Sequence, residues 1–431
     1  MGLYENTIVR CFDDGPSKRN EQGLEQVFFM DFGRIGASFA ARLAGHSLPQ
    51  ALYNDADVFD FDMQAIFGTS WLMVGFEVEL PKAGSYLALM IGKWPIILIR
   101  DRAGDIRAFH NSCRHRGSMI CPAGSGTAPK LVCPYHRWTY DLDGSLFAAG
   151  RMPDDFDKSE HGLKPIAFES VEGVMFICMA ETPPLFDEFR SKLTSFAAPH
   201  NLKNAKVAFE STLVEHANWK LVMENARECY HCGTGHPELA RSFPVGMSEH
   251  FEFGEDLTAK RFAETMAANG LEVSSVEGEW WQVARFHLNE GAVTVSMDGQ
   301  PVVKKLMCTI NGGAIGSMRW ALDPHCFVHA TGDSVFMFSV VPVSVTETHV
   351  VSKWLVHKDA VEGVDYDINT LTELWTRTNL QDKDLAENNQ RGVNSLGYTP
   401  GPYSPEAEML ALRFVDWYCD AARTYLASHG E

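Results

Sequence analysis

Cys113-Arg114-His115-Arg116-Gly117 and Cys133-Pro134-Tyr135-His136 are two short stretches, each offering one thiol and one imidazole, and their order decides how this chain is read. A zinc finger of two cysteines and two histidines usually groups like with like. C-x-H followed by C-x2-H instead lets the two cysteines take one metal and the two histidines another. Soft thiolates stabilise a ferric iron, while neutral imidazoles leave its neighbour easier to reduce, so this donor set suits a [2Fe–2S] cluster of raised potential. Such a cluster relays electrons. A structural zinc on the same four ligands is the competing reading, and Gly117 and Pro134 supply the tight turns that the loops need.

Outward from these loops, the stretch from about Thr69 to Ala180 consists of short β-branched and aromatic runs broken by Gly, Pro and Asp, which predicts a small antiparallel β domain. Ile96 to Ile99, Lys130 to Cys133, Thr139 to Asp141 and Val174 to Cys178 are its clearest runs. Asp141-Leu142-Asp143-Gly144 signals a turn after the second loop, and Thr182-Pro183-Pro184 closes the region, giving bounds of 69–182. Residues 183–431 change in character, with helical spacing around Trp219 to Glu228, strand-like runs from Glu279 to Val356, and helical patterns from about Asn369. In the last helix Ser404 is placed to cap, Pro405 suits the first position, and Leu410, Phe414, Trp417 and Ala421 recur on one face. Residues 1–68 are mixed and are expected to pack with the larger domain as a discontinuous piece. The fold class is α+β, without repeats or low-complexity tracts.

A second site lies in Glu224-Asn225-Ala226-Arg227-Glu228-Cys229-Tyr230-His231-Cys232-Gly233-Thr234-Gly235-His236-Pro237. Histidines five apart point about 140° from each other on an ideal helix, so His231 and His236 share a metal only if the helix is interrupted. Gly233 and Gly235 permit that. Two imidazoles completed by one distant carboxylate make the facial triad that holds ferrous iron with positions open for dioxygen. Spacing alone leaves Asp382, Asp384 and Glu387 as candidates for the carboxylate. Cys229 and Cys232 also spell C-x-x-C, here read as small polarizable packing residues rather than as a redox dithiol.

Cys-x-His-Arg-Gly with Cys-Pro-Tyr-His-x-Trp-x-Tyr-Asp-x-x-Gly resembles the Rieske domain of ring-hydroxylating oxygenase large subunits. The resemblance implies a Rieske [2Fe–2S] cluster on Cys113, His115, Cys133 and His136, and a mononuclear Fe(II) in a catalytic domain of helix-grip, START-like fold. It also places the carboxylate ligand at Asp382, eight residues before the Gln of Gln390-Arg391-Gly392. In this family a carboxylate at the position of Glu228 bridges an iron-ligating histidine and a Rieske histidine of the neighbouring subunit. Such a bridge requires a closed head-to-tail ring, of which a homotrimer is the simplest. Asn225 matches a position beside the open iron site, and Tyr230 would pack against the triad.

Ring dioxygenases typically carry Asp where this chain has Glu228. That difference, with Arg227 to Cys232, His236 to Leu239 and Gly397-Tyr398-Thr399-Pro400-Gly401-Pro402-Tyr403-Ser404, is similar to the glycine betaine and proline betaine demethylase branch. The implied reaction is hydroxylation of an N-methyl group with release of formaldehyde; the alternative is hydroxylation or dihydroxylation of an aromatic acid. A quaternary ammonium wants aromatic faces and negative charge, and Trp280, Trp281, Trp320, Phe327, Phe336 and Phe338 fall in the region expected to line the pocket. Most of these are read as packing. No dinucleotide or flavin fingerprint occurs, so a separate NAD(P)H-dependent flavin/iron–sulfur reductase is the expected partner.

Composition narrows the remaining classes. A hydrophobic share of 45% and a charged share of 22% suit a folded globular chain of 431 residues, long enough for two cores. A net charge of −19 with no basic stripe argues against nucleic acid. Met1 to Asn6 show neither a signal-like start nor a myristoylation pattern, and the longest apolar runs are strand-length, so no membrane contact and a cytoplasmic location are expected. Ten scattered cysteines suit metal ligation and reduced thiols.

Overall fold

The computed structural model describes residues 30–245 and 257–429, so the reading of Met1 to Asn6 lies outside the described residues. Two seven-stranded antiparallel sheets organise the chain. The first runs, in spatial order, through Leu72–Phe76, Val174–Cys178, Pro165–Val171, Ile106–His110, Trp94–Arg100, Ser85–Ile91 and Gly124–Thr127. A three-stranded sheet of Leu131–Val132, Thr139–Tyr140 and Leu146–Ala148 carries the second metal loop. The turn joining its last two strands closes where Gly144 N donates to Asp141 O at 3.0 Å. Gly144 has φ +86° and lies against the Phe109 ring, so both conformation and space require glycine there.

The second sheet has the order Ala205–Glu215, Glu347–His357, Val335–Ser344, Cys326–Ala330, Ser317–Leu322, Trp281–Phe286 and Ser275–Glu277. Period-two alternation divides its residues between two cores. Phe286, Ala321, Phe327, Phe336 and Phe338 face one cluster, while Trp281, Trp320, Cys326, Val328 and Met337 face the other. The long helix Ile368–Val393 lies on the first face, where Trp375 stacks on Phe336 with centroids 4.3 Å apart. The helix Asp187–Ala197 covers the second, with Phe189 packed against Trp280 and Trp281. Burying each such aromatic contributes roughly 2–3 kcal/mol, and the sheet is held from both sides. Trp280, Trp281 and Trp320 therefore belong to packing, as read.

Helices Phe32–Ala40 and Ala56–Asp62 pack on the C-terminal helix Met409–His429 through Phe39 with Tyr418 and Phe61 with Tyr425. That last helix differs from expectation in two respects. Ser404 caps a separate turn, its Oγ accepting Ala407 N at 3.1 Å, and the helix proper begins at Met409. Its buried stripe is Leu410, Phe414, Tyr418 and Ala422, so Trp417 and Ala421 stand on the flank. The strand Ala205–Glu215 was not anticipated because it is half exposed at the sheet edge and alternates weakly.

Candidate metal centres

The two loops of the first site are tight turns built on backbone hydrogen bonds. Gly117 N donates to Cys113 O at 2.8 Å with Gly117 at φ +77°, and Cys133 N donates to Trp138 O at 2.8 Å. Cys113 and Cys133 are buried, whereas His115 and His136 are exposed with their rings 4.7 Å apart. Trp138 stacks under His115 at 4.9 Å, and the Tyr140 hydroxyl lies 3.3 Å from Cys113 Sγ. Burial opposes ionisation of Cys133, but N–H groups of Tyr135 and His136 outweigh it and hold the thiol below its ordinary value. One thiol and one imidazole on each of two loops, with the thiols buried and the imidazoles exposed, fit a two-metal cluster.

The second site begins where the helix Trp219–Ala226 ends. Arg227 leaves helical geometry, and His231 and His236 flank the single turn Cys232–Gly235. Neither glycine of that turn adopts positive φ; instead a Cβ at Gly235 would lie 3.4 Å from the His231 ring. The interruption therefore begins at Arg227, where the helix ends, and Gly235 leaves room for the His231 ring. The preceding turn, closed where Cys232 N donates to Cys229 O at 3.2 Å, holds Cys229 and Cys232 in a disulfide with Cα atoms 4.8 Å apart, which corrects the reading of two packing thiols. Cys232 thereby offers no thiolate.

Asp382, on the helix Ile368–Val393, supplies the third donor. His231 Nε2 and His236 Nε2 are 3.0 Å apart, and Asp382 Oδ1 lies 3.2 Å from the first and 2.9 Å from the second. Three donors at metal bonds of about 2.1 Å are separated by about 3.0 Å when cis in an octahedron and about 3.4 Å in a tetrahedron. The spacing fits an octahedral face. Both tautomers are set from behind: His231 Nδ1 donates to Glu228 Oε1, and His236 Nδ1 donates to Gln381 Oε1 at 2.8 Å. Gln381 in turn donates to Glu238 Oε2 at 3.1 Å, and Asn225 Nδ2 donates to Asp382 Oδ1 at 2.7 Å. Burial would lower His231, yet Asp382 and Glu228 outweigh it and raise it to about 10, so the pocket favours a cation among these atoms. Asp384 is exposed, and Glu387 is 3.3 Å from Arg391 and accepts His216 N, which separates both from the site.

Residues 70–156 match the Rieske [2Fe-2S] domain family, and residues 202–423 match the ring hydroxylating alpha subunit (catalytic domain) family. This chain belongs to the Rieske ring-hydroxylating oxygenase alpha subunits. Its cofactors are accordingly a [2Fe–2S] cluster and a mononuclear iron. The oxygenase is similar to the glycine betaine monooxygenase oxygenase subunit of Pseudomonas aeruginosa, 46% identical over 87% of this chain and 88% of the relative. The corresponding protein of Chromohalobacter salexigens is 44% identical over 88% and 86%. The carnitine monooxygenase oxygenase subunit of Acinetobacter baumannii is 35% identical over 47% of this chain and 56% of its own. Among solved structures, the quaternary ammonium Rieske monooxygenase CntA with gamma-butyrobetaine shares the fold, with a TM-score of 0.66 at 22% identity over 90% of this chain and 97% of that one.

A cavity of about 110 Å³ opens on His231, His236 and Asp382 of the oxygenase. Of the aromatics singled out in sequence, Phe327 and Phe338 line it, stacked 4.7 Å apart; Phe336 stands behind Trp375. Sequence reading missed Phe243, Trp375, Arg319 and Glu215 in the wall. Arg319 donates to Gln282 Oε1 at 2.8 Å and places its guanidinium 5.7 Å from the Phe327 ring. Burial, reinforced by Arg227, lowers it to about 9. Alternation from Phe327 would have put Arg319 on the cavity face through its register partner His329, but only once strand pairing was known. Among the described residues, no helix is long and apolar enough to cross a membrane.

Proposed function

We propose that this oxygenase hydroxylates an N-methyl group of a betaine, glycine betaine or a close analogue, using dioxygen and electrons from an NAD(P)H-dependent flavin/iron–sulfur reductase. The observation that carries the reading is the cavity on the triad, lined by Phe243, Phe327, Phe338 and Trp375 together with carboxyl groups and Arg319. Aromatic faces and acids suit a quaternary ammonium, and a guanidinium suits the carboxylate that a betaine also carries. The similarity to glycine betaine monooxygenase oxygenase subunits over most of both chains supports the same substrate class.

In this reading His231, His236 and Asp382 hold the iron, which supplies dioxygen activation when bound. Asn225 orients the Asp382 carboxylate, and Gln381 with Glu238 orients His236. Cys113, His115, Cys133 and His136 hold the cluster, whose exposed imidazoles face outward for exchange of electrons. Glu228 contacts His231 and also lines a second cleft with Tyr398 and Tyr403, which supports a bridging role between the iron site and a neighbouring subunit. A cyclic homotrimer would bring a neighbour's His115 or His136 there. The net change is insertion of one oxygen atom into a C–H bond, with two electrons and two protons reducing the other to water. The N-hydroxymethyl product then loses formaldehyde and a proton, leaving the amine one methyl shorter.

The test is formaldehyde release from a panel of betaines, run with a competent reductase beside aromatic acids. Stoichiometric formaldehyde from one betaine is expected. Tight coupling of oxygen uptake to an aromatic acid, with no formaldehyde from any betaine, overturns the substrate.

A further inference from the structure

Glu215 closes the edge strand Ala205–Glu215 and is 1% exposed, yet its Oε2 has no hydrogen-bond partner. It lines the same cavity as His231, His236 and Asp382. A buried carboxyl oxygen left unpaired is costly, and an apolar side chain of similar size would spare the fold that cost. The groups whose charge reaches it are Asp382, Lys383 and Glu387, all on the helix Ile368–Val393. Each is engaged elsewhere: Asp382 with the two imidazoles, Lys383 with Glu387 at 3.7 Å, and Glu387 with Arg391 and His216 N. Burial, then the charge of Asp382, pushes the Glu215 carboxyl up to about 8, which is the cost of enclosing it here.

A quaternary ammonium has no N–H to donate. It is recognised by charge at van der Waals distance and by ring faces, and the cavity that Glu215 lines is also lined by Phe327, Phe338 and Trp375. We propose that Glu215 is the counterion the cavity presents to the substrate's ammonium group, and so the residue that makes this oxygenase choose a cation over a neutral molecule of the same shape. This rests on the betaine reading above. It adds that selection is electrostatic and located in one side chain outside the metal motifs.

The experiment uses the full chain with both metal centres loaded. Glycine betaine and its carbon isostere 3,3-dimethylbutyrate, which replaces the ammonium nitrogen by carbon, are titrated at equilibrium by tryptophan fluorescence, Trp375 being in the wall. Formaldehyde is measured separately. The native chain is expected to prefer betaine by at least about tenfold, and Glu215→Gln to lose most of that preference by weakening betaine while leaving the isostere unchanged. In turnover the loss then falls on KM. Should Glu215→Gln not fold, Glu215→Asp carries the test, keeping the charge and part of the preference; complete loss in that variant overturns the proposal. A Gln variant that retains the full preference, or one that loses kcat with the preference intact, also overturns it while the betaine reading stands. A native chain without preference for the cation, releasing no formaldehyde, overturns both.

Discussion

The imidazoles of His115 and His136 stand exposed at the tip of the β domain, on loops only a few residues long. Those of His231 and His236 are 18% and 1% exposed and meet a carboxylate on another helix, where Asn225 and the Asp382 it contacts are 157 residues apart. The contrast follows from what each centre must meet. A relay has to be reached by other proteins, so its outer ligands face solvent and its thiols are shielded. A centre that activates dioxygen is better kept from water, so it is enclosed, and enclosure demands walls from several elements. Changing one centre without the other is therefore the sharpest way to probe the comparison.

The largest separation is expected from Asp382→Ala. Removing this carboxylate leaves two imidazoles, and turnover should fall to background while the cluster persists. Iron should drop from about three to about two per chain with two acid-labile sulfides retained. Loss of cluster sulfide in the same variant would show that the centres are not independently held. Glu228→Ala should come next in effect, keeping both centres, because losing an outer partner weakens a metal site only about 10–100-fold, yet nearly abolishing turnover through the broken link. A fully loaded Glu228→Ala protein that consumes substrate at the native rate would remove the bridging role.

A smaller effect should come from the scaffold beneath the buried centre. Lys220 and Asp62 form an ion pair with both side chains fully buried, and Asp62 also accepts from Tyr418 Oη at 2.6 Å and Trp219 Nε1 at 3.1 Å. This knot ties the helix that presents Asn225 to the N-terminal and C-terminal segments. Lys220→Met leaves Asp62 without its counter-charge and should cost about 3–5 kcal/mol in urea denaturation. The visible absorbance of the cluster should survive to higher urea than catalytic-domain ellipticity. Simultaneous loss would mean that the two regions unfold as one.

How much could be read in advance follows the same division. The four residues proposed for the cluster stand out in the sequence because the turns that carry them are local, and a C-x-H and C-x2-H pair needs little else. His231 and His236 were legible as a pair, but the reason they converge was not: it lies in the end of a helix at Ala226 rather than in the glycines. Spacing left three acids open, and the resemblance pointed to the one that the fold brings to the imidazoles. The disulfide of Cys229 and Cys232 went the other way from expectation, because a tight turn closed by Cys232 N on Cys229 O sets the two side by side. Gln381, Arg319 and Glu215 carried no local signal. Each acquires its place from strand register or helix phase, which are long-range properties. The motif Gly397 to Ser404 was noticed for its similarity, and its physical task is to clamp: Tyr403 Oη donates to Glu224 Oε2 at 2.7 Å and Tyr398 Oη to Leu48 O at 2.9 Å.

The mildest test uses acid. His200 is wholly buried, its Nδ1 donating to Thr331 O at 3.0 Å and its Nε2 facing Arg285 Nη2 at 3.3 Å. Burial, then the charge of Arg285, lowers it to about 3. His325 is lowered to about 4, chiefly by burial, and its Nε2 donates to Met73 O at 3.1 Å, joining the catalytic sheet to the strand Leu72–Phe76 of the β domain. Both folded values lie below the ordinary value of about 6.5, so between about pH 6.5 and 4 the unfolded chain binds more protons and stability must fall as pH falls. Each group contributes up to about 1.4 kcal/mol per pH unit within that window, and nothing above it. Urea midpoints measured from pH 7 to pH 5 should therefore decline, and the decline should flatten in His200→Gln, which cannot take up the proton. An unchanged slope in that variant would place the proton uptake elsewhere. If His325→Gln flattens the slope and also separates the unfolding of the two regions, the seam at Met73 is what acid loosens, and the exposed and the enclosed centre are coupled through the fold rather than through their ligands.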